Sequence, residues 1–143
     1  MGKSKSGKTI RDVMTEGPRT VSKGDPAVEA ARAMREEDAG AVPIVDGERL
    51  VGVVTDRDIA VRLVAEGRDP QSTTVDDVAS RELVTIDPQQ GLDEALRLMA
   101  QHQVRRLPVC EEDGRLIGIV AQADVAKHAD ASRTGEVVEQ ISS

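Results

Sequence analysis

Two copies of one sequence unit fill most of the chain, and this duplication is the strongest limit on its fold. Residues 9–13 (TIRDV) match residues 74–78 (TVDDV) at an offset of 65. Residues 50–54 (LVGVV) match residues 116–120 (LIGIV) at an offset of 66, because the second copy has one extra residue in the preceding turn. Each copy spans roughly 60 residues without Phe, Tyr or Trp, so it would bury too little apolar surface to fold well alone. We therefore expect the two copies to pack on each other.

The first elements of each copy are predicted from a cap and a short apolar pair. Thr9 and Thr74 are each followed three residues later by an acid, which is the spacing of a capping box and predicts a short helical turn. A brief strand is predicted after each turn, at residues 20–21 in the first copy and at residues 85–86 in the second.

A helix, a β-hairpin and a second helix follow in each copy. Apolar residues at positions i, i+3, i+4 and i+7 predict helices over residues 27–34 and 92–99. Two apolar runs flank Asp46-Gly47 in the first copy and Asp113-Gly114 in the second, and this dipeptide is typical of hairpin turns. A last helix begins near Arg57 and its counterpart. The order β-α-β-β-α, repeated twice and each time preceded by a helical turn, predicts an α+β fold.

The charge and the lack of aromatic residues argue against nucleic-acid binding. Asp and Glu total 26 against 19 Lys and Arg, and the resulting formal net charge of -7 would repel phosphates. The chain also has no aromatic side chain on which bases could stack. No apolar run is long enough to cross a bilayer and no export signal is recognised, so we expect a soluble, cytoplasmic protein without a membrane partner.

The few metal-ligating and nucleophilic side chains have no partners at a useful spacing. Cys110 has no second cysteine for a disulfide and ends an apolar run, so we expect a reduced, half-buried thiol. His102 and His128 have no Cys, Glu or His at ligand spacing, so no metal site is predicted. No Ser-His-acid or Cys-His set is found, so the sequence does not predict an enzyme.

Residues 2–9 (GKSKSGKT) match the phosphate-binding loop pattern G-x-x-x-x-G-K-[ST]. That loop needs a buried strand before it, and only Met1 precedes it here, so we expect a disordered leader rather than a nucleotide hydrolase. Gly2 and Ser6 also fit a myristoylation pattern, which short runs of small residues produce by chance. The predicted division is a leader (1–8), a first repeat (9–66), a linker (67–73), a second repeat (74–128) and a polar tail (129–143).

The hairpin and the helix start that follows it carry a recognisable motif in both copies. The first copy has AVPIV after Gly40 and GVVTDRD over residues 52–58, and the second has VRRLPV and GIVAQAD. With these motifs at matched spacing, the chain resembles the cystathionine-β-synthase (CBS) domain family over all of its length except the leader and tail. It looks most like the small two-domain members found in actinobacteria.

This resemblance implies tandem β-α-β-β-α CBS repeats packed about a pseudo-twofold axis, an arrangement also called a Bateman module. In many members the clefts between the repeats hold adenosine nucleotides such as AMP, ADP or ATP. The resemblance further implies a regulatory, non-catalytic module and a homodimer formed through the helices of the repeats.

Thr55 and Asp58 are the main candidates for ligand binding in the first copy, where the matching family residues contact phosphate and ribose. A hydroxyl and free N–H groups at a helix start suit phosphate oxygens, and a carboxylate can accept the ribose hydroxyls. The alternative is a capping box, in which the two residues only stabilise the helix start by about 1 kcal/mol. The second copy keeps Asp124 but has Ala121 in place of the threonine, so we expect two unequal sites.

Two arginines distinguish the second copy, because they occupy the positions of Gly40 and Ala41 in the first. A guanidinium there would hold a phosphate by a bidentate contact. An alternative of equal weight is that the arginines have no ligand and are either solvated or ion-paired with the acidic run at residues 111–113. The candidate ligand-binding residues are Thr20, Val21, Gly40, Val42, Pro43, Thr55, Arg57 and Asp58 in the first copy, and Thr85, Ile86, Arg105, Arg106, Pro108, Ala121 and Asp124 in the second.

Two functions follow from the sequence. The first is a sensor in which AMP, ADP, ATP or a related adenosyl ligand shifts the packing of a homodimer, since a ligand can shift only states that it binds unequally. The second is a structural CBS pair with empty clefts that binds an unknown client protein.

Overall fold

The computed structural model describes residues 8–80 and 82–129 of the 143-residue chain. Most of the predicted leader and tail therefore lies outside the described residues. The helices are α1 Ile10–Val13, α2 Ala27–Glu37, α3 Asp56–Asp58 with its π-helical continuation Ile59–Val64, α4 Val75–Val78, α5 Leu92–His102 and α6 over residues 122–129. The strands are β1 Thr15–Glu16, β2 Val21–Ser22, β3 Ala41–Asp46, β4 Arg49–Thr55, β5 Arg106–Cys110 and β6 Leu116–Ala121.

The described chain forms two compact units that do not coincide with the sequence repeats. Unit 1 contains residues 8–17, 84–112 and 117–129, and unit 2 contains residues 18–83 and 113–116. Helix α1 therefore belongs to the unit built mainly from the second repeat, and helix α4 belongs to the unit built mainly from the first.

Equivalent backbone hydrogen bonds hold the two exchanged turns. The N–H of Ile10 donates to the carbonyl of Gln90 at 2.9 Å in unit 1, and the N–H of Val75 donates to the carbonyl of Asp25 at 2.9 Å in unit 2. Ile10 and Val75 are both fully buried, each among residues of the opposite repeat. Each repeat thus supplies one helical turn that completes the core of the other.

Each unit contains one three-stranded sheet. In unit 2, β2 runs parallel to β3 with Val21 opposite Ile44, and β3 pairs antiparallel with β4. In unit 1 the order is β1-β6-β5, with β1 antiparallel to β6. Both hairpins form where the Asp-Gly turns predicted them, and Gly47 and Gly114 adopt the positive φ that these turns require.

The predicted strand at residues 85–86 is reduced to a single parallel bridge between Ile86 and Val109. In the first repeat the N–H of Lys23 extends the equivalent ladder by donating to Val45 at 3.0 Å. The residue at the position of Lys23 in the second repeat is Pro88, which has no N–H to donate, so the ladder stops there.

The caps of the helical turns differ from the prediction in the second repeat. The N–H of Thr9 donates to the Asp12 carboxylate at 2.9 Å, as the capping-box spacing predicts. The Thr74 side chain forms no cap hydrogen bond in the described structure, and the Asp77 carboxylate lies 3.5 Å from the guanidinium of Arg68. The prediction of a second capping box was therefore wrong.

The predicted linker, residues 67–73, caps helix α2. Pro26 stands at the N-cap of α2 and has no side-chain acceptor to offer. The N–H of Ala27 instead donates to the carbonyl of Thr73 at 2.7 Å, and the N–H of Val28 donates to that of Pro70 at 2.9 Å. The linker is thus bonded to the first repeat, and it leads directly into α4.

Across the described residues, helices long and apolar enough to cross a membrane are absent.

Candidate functional site

Three candidate residues of the first repeat lie at one edge of the sheet in unit 2. Strands β2 and β3 are parallel, so Thr20 and Gly40, which immediately precede them, lie at the same end. Strand β4 is antiparallel to β3 and pairs Ala41 with Thr55, so Thr55 ends β4 at that end too. The sheet topology therefore brings together residues that are up to 35 positions apart in the sequence.

The start of α3 is closed by a full capping box at this edge. The Thr55 hydroxyl accepts a hydrogen bond from the N–H of Asp58 at 3.0 Å. The Asp58 carboxylate in turn accepts one from the N–H of Thr55 through Oδ2 at 2.9 Å. Asp58 is only 8% exposed. Thr55 and Asp58 therefore do cap the helix, which is one of the two roles that the sequence allowed. A ligand at this edge could still accept the hydroxyl hydrogen of Thr55 and donate to the lone pairs that remain on Asp58.

Gly40 and Asp56 lie against each other beside this cap. The N–H of Asp56 donates to the carbonyl of Gly40 at 2.9 Å, and a Cβ added at Gly40 would lie 3.0 Å from Oδ2 of Asp56. The third polar residue of the turn, Arg57, is exposed. Helix α3 consequently carries two carboxylates and one arginine.

Several predicted ligand contacts belong to the two cores. Val21 and Val42 lie in the core of unit 2, and Ile86 lies in that of unit 1. Pro43 and Pro108 are buried within β3 and β5. These five side chains are buried, whereas Thr20, Thr55, Thr85 and Ala121 are at least partly exposed.

The second repeat builds the equivalent edge in unit 1 with different side chains. The N–H of Gln122 donates to the carbonyl of Arg105 at 2.7 Å, which is the counterpart of the bond between Asp56 and Gly40. Ala121 ends β6 and has no hydroxyl with which to cap α6. The Asp124 side chain is exposed and forms no hydrogen bond or ion pair with another residue of the described ranges. The cap that closes α3 is thus missing at α6.

Both arginines of this edge are exposed. Neither the Arg105 nor the Arg106 side chain is hydrogen-bonded or ion-paired with any residue in the part of the chain that the structure describes. Glu111, which the sequence offered as an acidic partner, lies 3.0 Å from the guanidinium of Arg11 instead. The ion-pair alternative for the two arginines is therefore not formed with described residues.

Sequence reasoning missed one contact at the edge of unit 2. Arg62 lies one helical turn after Asp58, with its Nε 3.9 Å from Oδ1 of that carboxylate. Its Nη1 donates to the carbonyl of Ala79 at 2.9 Å. The i,i+4 spacing could have indicated the ion pair, but the contact with Ala79 joins residues 17 positions apart and has no sequence signal.

The described residues contain no group of three or more His, Cys, Asp or Glu side chains placed to hold a metal ion. The ring of His128 contacts Lys8, with 2.9 Å between Nδ1 and Nζ. Cys110 is partly exposed and reduced.

Comparisons with known proteins agree with this architecture. A family model described as the CBS domain matches residues 10–65 and 75–131. Hypoxic response protein 1 of Mycobacterium tuberculosis is 40% identical over 136 residues, which cover 94% of each chain. A crystal structure of Hypoxic Response Protein I with two coordinated zinc ions has a TM-score of 0.77 at 43% identity, covering 85% of this chain and 98% of that one. The crystal structure of CBSX2 from Arabidopsis thaliana in complex with AMP has a TM-score of 0.75 at 27% identity, covering 89% of this chain and 99% of that one.

Proposed function

The chain belongs to the CBS-domain family, and from this premise we propose that it is a non-catalytic regulatory module that binds an adenosine nucleotide such as AMP, ADP or ATP. The complex of CBSX2 with AMP supports this ligand class, because that protein shares the fold over nearly its whole length.

The observation that carries the proposal is the edge of unit 1. Asp124 presents an exposed carboxylate, and Arg105 and Arg106 present two exposed guanidinium groups. None of these three side chains is hydrogen-bonded or ion-paired with a residue that the structure describes. The backbone bond between Arg105 and Gln122 places the arginines beside the start of α6, where Asp124 lies. A carboxylate suits the two ribose hydroxyls and a guanidinium suits a phosphate, so this edge offers the complementary groups that a nucleoside phosphate needs.

The edge of unit 2 would bind such a ligand less strongly. Asp58 and Thr55 are already bonded to each other, and Asp56 adds a second negative charge close to Gly40. The acids would repel a phosphate placed there. Of the two nearby arginines, Arg62 is already paired with Asp58, which leaves Arg57 to offset the repulsion. The proposal therefore assigns phosphorylated ligands to the second repeat in preference to the first.

Thermal unfolding with and without ligand tests the proposal. AMP at roughly 100 times its dissociation constant should raise the melting temperature of the wild type by about 5–10 °C, since it binds only the native state. Asp124→Ala and the double variant of Arg105→Ala with Arg106→Ala should lose most of this shift, and adenosine should give a smaller shift than AMP. Arg35→Ala on α2 removes an exposed arginine far from the edge in sequence and should keep the full shift. No shift of the wild type with AMP, ADP or ATP would reject adenosine-nucleotide binding.

A ligand-free structural or protein-interaction role is the alternative, and the capping box at α3 favours it. Thr55 and Asp58 close the start of α3 by bonding to each other, without a ligand. If no adenosyl ligand binds either edge, the module would act through the surfaces that it presents to a client protein.

The proposal includes a homodimer formed through the CBS helices and a cytoplasmic location. Val61 and Val64 are 47% and 68% exposed on the helical segment after Asp58, where a second copy of the chain could cover them. A single reduced cysteine suits a reducing compartment. Sedimentation of wild type and of Val64→Glu tests the dimer, which should dissociate in the variant. A monomeric wild type at all concentrations would contradict this part of the proposal.

A further inference from the structure

Arg62 connects a candidate ligand residue to the segment that the second repeat contributes to unit 2. Its Nε lies 3.9 Å from Oδ1 of Asp58, and its Nη1 donates to the carbonyl of Ala79 at 2.9 Å. The planar guanidinium holds its nitrogens in a fixed fork, so the two contacts constrain each other. Arg62 therefore contacts the Asp58 carboxylate and the Ala79 carbonyl at the same time.

The contact with Ala79 lies at the C-terminal end of the segment that the second repeat contributes to unit 2. The next residue, Ser80, donates its N–H to the carbonyl of Val53 at 3.1 Å in an isolated antiparallel bridge. Helix α4 itself has only one turn and no side-chain cap. The bond from Arg62 is thus one of the links that fix the end of this segment to the first repeat.

The helical segment that carries Arg62 is unusual. Residues Ile59–Val64 are π-helical, with the N–H of Ala65 donating to the carbonyl of Ala60 at 2.9 Å. Single π-helical turns are frequent at functional sites. In the second repeat residues 122–129 are α-helical, and the position of Arg62 is occupied by His128, which contacts Lys8 rather than Asp124. The connection from the carboxylate to the exchanged segment is thus specific to unit 2.

We infer that Arg62 is a positioning residue that orients the Asp58 carboxylate and couples its occupancy to the segment ending at Ser80. The coupling part of this inference rests on the proposed function, because it requires an adenosyl ligand at Asp58. A ligand hydroxyl that binds Asp58 would hold its carboxylate against Arg62, and the guanidinium would in turn be held more firmly on Ala79. Weak occupancy of the first site could in this way alter how firmly one repeat holds the other.

Amide hydrogen exchange tests the positioning role without any ligand. Arg62→Met keeps the aliphatic length of the side chain and removes both polar contacts. We expect the amides of Thr55 and Ser80 to exchange roughly two- to tenfold faster in this variant, the change that loss of one ordinary hydrogen bond would cause. The amides of β6 in unit 1 should keep their wild-type rates, and so should those of Thr55 and Ser80 in the control Arg35→Met. Unchanged exchange at both amides in Arg62→Met would overturn the inference.

A second comparison, with AMP as the probe, tests the coupling. In the wild type AMP should slow exchange at Thr55 and at Ser80, and in Arg62→Met it should slow exchange at Thr55 only. Arg62→Lys, which should fold even if the methionine variant does not, has one nitrogen and cannot span both partners, so it should also fail to protect Ser80. Equal protection of Ser80 by AMP in all three proteins would overturn the coupling. If AMP protects no amide of the wild type, the proposed function and the coupling both fail at this site, while the ligand-free exchange rates still decide the positioning role.

Discussion

In unit 2 the carboxylate of Asp58 is buried and bonded to the backbone of Thr55, whereas in unit 1 the carboxylate of Asp124 is exposed and has no described partner. The same backbone hydrogen bond is present at both helix starts, from the N–H of Asp56 to Gly40 and from the N–H of Gln122 to Arg105. The two starts differ in their caps, because Thr55 offers a hydroxyl to the first helix and Ala121 has none for the second. The comparison teaches that two copies of one motif can differ in how far their polar side chains are bonded within the chain.

The largest expected effect concerns the exchange of helical turns between the repeats. Ile10→Ala should lower the free energy of unfolding by about 2–5 kcal/mol, because Ile10 is fully buried. Val75→Ala, at the equivalent position, removes two carbon atoms rather than three and should cost less. Urea unfolding followed by circular dichroism gives both values. Hydrogen exchange should locate the loss caused by Ile10→Ala in β5 and β6, which belong to the second repeat, and a loss confined to the first repeat would contradict the exchange.

A smaller effect is expected at two equivalent glycines of the hairpins. A Cβ at Gly118 would lie 2.7 Å from Sδ of Met14 and 3.0 Å from the carbonyl oxygen of Thr15, so Gly118→Ala should cost about 1–3 kcal/mol. A Cβ at Gly52 would make ordinary contacts of 3.5 Å or more with Ile44 and Ala79. Gly52→Ala should therefore be neutral or stabilise by about 0.4–1 kcal/mol.

The double variant of Gly118→Ala with Met14→Ala provides the control for the glycine comparison. It replaces Met14 by the residue that stands at the equivalent position, Ala79. The double variant should lose less free energy of unfolding than the sum of the two single variants. Some loss should remain, because the Cβ at position 118 still lies close to the Thr15 carbonyl. Strictly additive costs in thermal unfolding would show that Met14 is not the cause.

The acidic residues at the two helix starts should differ in how much they contribute to the free energy of unfolding, and this difference is smaller than the preceding effects. Asp58→Ala removes the carboxylate of the capping box and should cost about 0.5–2 kcal/mol. Asp124→Ala removes an exposed side chain and should stay within about 0.5 kcal/mol. Chemical denaturation without ligand measures both, and equal costs would remove the structural basis for treating the two edges differently.

The smallest effect is expected where the repeats are alike. Glu29 pairs with Arg32 on α2, and Glu94 pairs with Arg97 at the equivalent positions on α5. Each pair is exposed, so Glu29→Gln and Glu94→Gln should each cost about 0.2–0.5 kcal/mol, and less in high salt.

The pair on α5 also predicts a pH dependence. The hydrogen bond from Arg97 lowers the pKa of Glu94, so the stabilisation is present above the unfolded-state pKa and is lost as the pH falls through the lower native value. Comparison of wild type with Glu94→Gln across this acidic range should show the two stabilities converging. A difference that grows on acidification would contradict the assignment.

Much of the local structure could be predicted from the sequence. The Asp-Gly turns located both hairpins, the apolar periodicity located α2 and α5, and the resemblance to CBS domains was confirmed by the match of both repeats to the family model. These features depend on neighbouring residues, which impose the same local preference wherever the segment is placed.

The exchange of α1 and α4 between the repeats could not be predicted from the sequence. The spacing between the two copies is the same whether a helical turn packs on its own repeat or on the other one. Strand β1 has two residues and no apolar alternation, so its pairing with β6 depends on tertiary contacts alone. At the candidate site the sequence predicted that the two copies are unequal, which the capping geometry supports. The roles of the individual ligand residues stay predictions.

Equilibrium dialysis against AMP tests the central claim most directly, because it counts bound ligand. The chain has no Trp, Tyr or Phe, so absorbance at the adenine maximum measures nucleotide with little contribution from protein. The account predicts excess AMP on the protein side for the wild type and for Asp58→Ala, and a marked loss of that excess for Asp124→Ala. Equal AMP concentrations on both sides of the membrane for the wild type, at every concentration used, would contradict it.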